Sequence, residues 1–219
     1  MQYELVRSKR KTLALTVDRE GRLTVRAPYR TPQARIESFV LEKQAWIRKV
    51  RARMAGLPPK ETLTLREGAS FPYLGGTLTL RRGAGTKVAL SGDTLLVPPS
   101  ADNAAPVVRW LEKQARRELD ARVGALARQF SLRPQKLHLS RARGRWGSMS
   151  ARGTLSLNRA LILCPPDVID YVIVHELCHI AHPNHSAAFW ALVERHRPGY
   201  RVQRDWLKAH GALISFLPD

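Results

Sequence analysis

His175-Glu176-Leu177-Cys178-His179 constrains this chain more than any other stretch of its sequence. Histidines four apart meet on one face only if the backbone is helical, where four steps advance about 6 Å and nearly close a turn. Pro165-Pro166-Asp167 opens such a helix, since proline suits a first helical turn and Asp favours the positive end of the dipole. The helix runs through VIDYVIVHELCHIAH and must stop near Pro183-Asn184. Val168, Ile169, Val172 and Ile173 give it an apolar opposite face to bury. On the polar side, the His175 and His179 imidazoles can converge on one metal ion, with zinc the natural choice. Glu176 points beside them, placed to take a proton from a water activated by the ion without being a ligand itself.

A hydrolytic zinc site needs a third protein ligand and an open position. His182 lies on the same helical face, but about 10.5 Å along the axis from His175, too far to share its ion easily. Glu194 offers a downstream carboxylate on the following helix. His185 completes the pattern HExxHxxxxxH if the chain leaves the helix and turns back. Pro183 stops the helix there and Asn184 tolerates a left-handed conformation. His185 is therefore favoured, with Glu194 the alternative and His182 a flanking residue. Four of the seven histidines fall within residues 175–185, beside a Glu in the right slot, which speaks against a merely polar helix face. Cys178 turns away from the His175/His179 line and reads as a packed thiol.

The rest of the chain predicts an α+β fold. Leu13, Leu15 and Val17 alternate, DREGR turns, and Leu23, Val25 and Ala27 alternate again, which predicts a hairpin. A helix follows over 31–55, with Ile36, Phe39, Val40, Ile47 and Val50 on its apolar face and Trp46 extending it, until GLPPK breaks it. Short β segments with Gly-rich turns fill 63–97, and Pro98-Pro99-Ser100 is the candidate boundary. Residues 1–100 thus read as a β-rich N-terminal domain with one helix, and 101–219 as the domain carrying the motif. In the second part a long amphipathic helix spans 104–130, two strands cover 136–139 and 154–158, and a last helix runs from Ser186 to Pro198. Thr154–Asn158 is either an edge strand open to an extended peptide or part of the sheet core.

The formal net charge of +19 comes from 37 Lys and Arg against 18 Asp and Glu, 28 of the basic residues being Arg. It is spread over both halves, but between Asp120 and Asp167 there are nine basic residues and no acidic one. Arg141, Arg143, Arg145 and Arg152 crowd one loop with Trp146. Guanidinium groups suit phosphate, and an exposed Trp could stack on a base. The loop is either an anion-binding lip beside the metal or a solvated turn whose Trp plugs the core. No apolar run approaches the ~18 residues of a membrane span, and no apolar segment follows the basic N-terminus as in a signal peptide. Two cysteines make no disulfide framework. These features predict a cytoplasmic protein without a membrane partner.

RWGSMS (145–150), TLSLNRALILCPPDVIDYVIVHELCHIAHPNHSAAFW (154–190) and Pro198-Gly199-Tyr200 resemble the YgjP-like metallopeptidase family, which is related to the SprT and WLM zinc proteases. The resemblance is strongest over 140–206; the N-terminal hairpin and the helix containing Trp46-Ile47 are similar but less specific. It implies a small zincin-like domain (a long backing helix, short antiparallel strands, the HExxH helix and a C-terminal helix). It also implies one zinc per chain on His175, His179 and His185, with Glu176 as general base. The family usually has Cys where Met149 stands and Trp near Arg159; neither departure touches an implied ligand, and the first argues against an obligatory catalytic cysteine.

Two functions follow as expectations. The first is a zinc metallopeptidase acting on DNA or on DNA-bound proteins, as the related SprT proteases do on DNA–protein crosslinks. The alternative is a nucleoside triphosphate pyrophosphatase at the same site, since YgjP-like proteins are linked to UTP hydrolysis. Arg141, Arg143, Arg145, Trp146 and Arg152 would bind the anionic partner in either case.

Overall fold

The computed structural model describes residues 2–18, 20–56 and 62–218, and they form the expected α+β architecture. The chain divides into two compact units, Met1–Pro59 and Lys60–Asp219. In the first, β1 (Glu4–Ser8), β2 (Ala14–Val17) and β3 (Leu23–Pro28) form a sheet in the order β1-β3-β2. The hairpin is present, with Leu15 opposite Val25 and Val17 opposite Leu23; Arg19 in its turn lies outside the described residues. Strand β1, parallel to β3, was not legible beforehand.

The single helix expected over 31–55 is two, α1 (Gln33–Glu42) and α2 (Gln44–Ala55), separated at Lys43 (φ −90°, ψ 10°). The bend brings Ile36 and Val40 of α1 and Ile47 of α2 into one core with Leu23, Val25 and Ala27. Trp46 does not extend that face; it is 44% exposed. Of the GLPPK break, only Gly56, the cap of α2, is among the described residues.

The second unit begins with β4 (Ser70–Tyr73), β5 (Gly76–Arg82), β6 (Ala89–Ser91) and β7 (Thr94–Val97), in the order β4-β5-β7-β6. Helix α3 (Ala105–Phe130) follows, then β8 (Lys136–Ser140), β9 (Gly147–Met149) and β10 (Thr154–Asn158). A 3-10 turn at 159–163 leads to α4 (Pro166–Cys178), α5 (Ala187–His196) and α6 (Arg201–Ala209). The division at 59/60 corrects the boundary expected at 98–100. Leu63, Phe71, Leu78, Leu80, Leu95 and Val97 share one apolar cluster with Val107, Leu111 and Ala115 of α3. Cutting at Pro98 would split that core. Further along α3, Leu119, Val123 and Ala127 pack with α4 in a second cluster, so this one helix serves both.

The sheet behind α4 also differs from expectation. Its order is β8-β10-β9, with β10 parallel to β8 and antiparallel to β9. After β8 the basic loop carries the chain to the outer strand β9 before it returns through the middle. Thr154–Asn158 is therefore the central strand, with Leu155 and Leu157 buried, and β8 and β9 are the outer strands. The β4–β5 turn abuts the start of α4: Gly75 adopts φ 84°, and a Cβ there would lie 3.2 Å from Pro166 Cδ. Among the described residues no helix is long and apolar enough to cross a membrane.

Candidate metal centre

Helix α4 buries Val168, Ile169, Val172, Ile173 and Leu177 and leaves His175 and His179 on its other side. It ends at Cys178, with His179 as its cap. The His182 amide still bonds the Cys178 carbonyl (3.0 Å), and Pro183-Asn184 then take the chain out of the helix. Ser186 restarts it: its hydroxyl oxygen accepts the Phe189 amide at 3.3 Å and caps α5. This return brings His185 back over α4, where its Nε2 lies 3.0 Å from Nε2 of His175. One ring nitrogen from each of His175, His179 and His185 lies within 4.8 Å of the other two.

These donors fit a metal ion. Burial, reinforced by the neighbouring imidazoles, lowers the His175 pKa to about 4, and burial lowers that of His179. Both rings are thus neutral at pH 7 and offer lone pairs rather than protons. His179 Nδ1 lies 3.0 Å from the His182 carbonyl; donating there fixes the tautomer and leaves Nε2 as acceptor. Phe189 forms the floor, its ring 4.5–4.9 Å from all three imidazoles. Trp190 stacks on His185 (5.6 Å) and on Tyr200 (5.2 Å), and Tyr200 on Tyr171 (5.8 Å). This aromatic wall had a signal in the sequence, Phe189 following His185 by one helical turn across the cap.

Glu176 follows His175 on α4 and is only 7% exposed. Burial raises its carboxyl pKa to about 7, against the opposing pulls of the Met149 amide and the Arg145 guanidinium. The side chain presses on β9 so closely that a Cβ on Gly147 would stand 2.7 Å from its Cγ and Oε1. Gly147 and Met149 thus fix the carboxylate from the strand side.

A family model of the YgjP-like metallopeptidase domain matches residues 11–210. The chain belongs to the YgjP-like metallopeptidase family. It is accordingly a hydrolase, and the YgjP-like domain carries a metal ion in its chemistry. No curated protein matches the chain. Among solved structures, the metallopeptidase zymogen abylysin of Pyrococcus abyssi is similar over 42% of this chain and 92% of its own, at 20% identity and a TM-score of 0.39.

The other residues singled out in this YgjP-like sequence are placed as follows. Glu194 lies outside the histidine cluster: it accepts the Gly199 amide at 3.1 Å and faces Arg201 at 3.5 Å, securing the Pro198-Gly199 turn. His182 contributes its carbonyl to His179. Cys178 is fully buried, and burial pushes its thiol up to about 12. Tyr200, 3% exposed, belongs to the aromatic stack. Of the basic loop, only Arg145 acts on Glu176. Arg141 pairs with Glu112 (2.9 Å), which also holds buried Arg159 at 2.6 Å. Arg141 and Arg143 line a cavity of about 320 Å³ with Ser215 and Leu217, and Arg152 is exposed in the turn before β10. Trp146 is half-buried against both apolar clusters, the core-plugging arrangement. The organiser of the loop, Asn158, was missed: its side-chain amide donates to the Ala142 and Arg145 carbonyls, and its backbone amide to that of Trp146.

Proposed function

We propose that this metallopeptidase holds one zinc ion on His175, His179 and His185, and that Glu176 moves the proton during cleavage of proteins associated with DNA. The convergence of three imidazole nitrogens beside one buried carboxylate carries the reading. Three imidazole nitrogen donors suit zinc and leave a position open for substrate. Bound there, the ion supplies Lewis acidity, polarising the scissile carbonyl and acidifying the attacking water. Glu176 accepts that water's proton on a carboxylate oxygen and returns it to the departing amine nitrogen. The Met149 amide keeps the carboxylate oriented, and it and the Arg145 charge favour the ionised form. An extended peptide pairing along β9, an outer strand of its sheet, would lie beside Glu176, which stands so near that strand that a Cβ on Gly147 would meet it.

The positive charge supports DNA as the place where substrates are met, and the two buried free thiols suit a reducing cytoplasm. The test compares wild type with Glu176→Gln on a protein substrate, with and without single-stranded DNA, and on a panel of nucleoside triphosphates. Glu176-dependent proteolysis, at least about 100-fold above the variant and stimulated by DNA, is the expected result. Glu176-dependent pyrophosphate release without proteolysis would overturn it in favour of nucleotide hydrolysis.

A further inference from the structure

Of the loop arginines, Arg141 has intramolecular work, held by Glu112. A different basic surface, in the same unit, has none. Lys87, Arg109 and Lys113 line a groove of about 390 Å³ between the β5–β6 connection and the first turns of α3. No acidic residue lines it. All three side chains are exposed, and none makes a hydrogen bond or ion pair among the described residues. Arg109 and Lys113 are one helical turn apart and so project from the same face of α3. Between them Trp110 lines the groove, half-buried and backed by Tyr73 at a ring separation of 5.6 Å. Pro106 and the start of a 26-residue helix close one end, so the positive end of its dipole adds to the field.

We propose that this groove binds single-stranded nucleic acid, the three cations meeting backbone phosphates and Trp110 offering a ring to an unstacked base. Cations that track a backbone beside an aromatic platform are the means by which proteins hold single strands without reading sequence. A carboxylate-rich protein would satisfy the cations but leave Trp110 unused, and a duplex keeps its bases stacked and out of reach. The inference rests on the reading that DNA is this enzyme's meeting place, and gives that contact an address apart from the histidine centre.

Fluorescence anisotropy of a labelled oligo-dT with the full-length, metal-loaded protein tests it across a salt series. The groove variant is Lys87→Ala/Arg109→Ala/Lys113→Ala; the control, Arg128→Ala/Arg133→Ala/Lys136→Ala, removes equal charge from another exposed surface of the same unit. The groove variant should bind at least tenfold more weakly, with a log–log salt slope shallower by about 2, as three lost single-strand phosphate contacts require. The control should lose less than half as much in logarithmic terms. Trp110→Leu should weaken binding with little change in slope, read against its thermal unfolding; because the charge variants touch only exposed side chains, the result does not depend on its folding. Equal losses in groove and control variants would overturn the groove while leaving DNA association intact. Competition by free thymidine triphosphate as effective as that by the oligonucleotide would overturn it in favour of a mononucleotide site. No binding by wild type would overturn both the groove and the DNA part of the functional reading, without touching Glu176-dependent proteolysis.

Discussion

Glu176 is held between a helix and a strand by residues that only folding brings together. A Cβ at position 147 would lie 2.7 Å from the Glu176 Cγ, closer than carbon atoms pack. Gly147→Ala should therefore displace the carboxylate, lowering kcat at least tenfold while metal content stays at the wild-type level, at a stability loss of about 1–3 kcal/mol from overpacking. Steady-state kinetics beside metal analysis checks this; unchanged kcat would mean the contact does not position Glu176. The histidine pair and Glu176 were legible because four-residue spacing on a helix is a local property. His185 was legible because Pro183-Asn184 marks the turn. Gly147 and Asn158 were not read as parts of the site, because close approach across elements leaves little local trace in sequence; Phe189 was not either, although its place one turn after His185 is a local signal.

Helix α5 has two tasks, to present His185 just before its cap and to place Phe189 beneath the three rings. Ser186 links them through one hydrogen bond to the Phe189 amide. Ser186→Ala should lose about 1 kcal/mol of stability and weaken metal affinity, since His185 is the neighbouring residue. Thermal unfolding and a chelator competition measure the two effects; unaltered affinity would separate the cap from the metal centre. Helices α3, α4 and α5 were readable from apolar periodicity and from Pro, Asp and Ser at their starts. Strand order was not. The alternation Leu155, Leu157 marks β10 as a strand, but its central place depends on parallel pairing with β8, a non-local choice. The same holds for β1, and for the bend at Lys43 that lets Ile47 join Ile36 and Val40.

Over the whole molecule, the residues of the histidine centre and the two apolar clusters around α3 lie within 60–219, although the family match begins at residue 11. A chain of residues 60–219 should fold and bind one metal ion per molecule with wild-type affinity; an unfolded or metal-free product would show that residues 1–59 are needed to form the centre. The division of the chain was misread because Pro98-Pro99-Ser100 looks like a linker, whereas the strands before it and α3 after it bury a common core. The net charge of +19 and the acid-free stretch before Asp167 pointed to the loop 141–152 as the place where an anionic partner is met; that Glu112 already holds Arg141 and Arg159 depends on long-range packing and left no trace in the sequence. The central claim is that His185, and not Glu194, completes the metal centre. Metal content after purification, measured on wild type, His185→Ala and Glu194→Ala, tests it most directly. The expected result is one zinc per chain in wild type and in Glu194→Ala and a markedly reduced content in His185→Ala; full zinc in His185→Ala with loss in Glu194→Ala would contradict it.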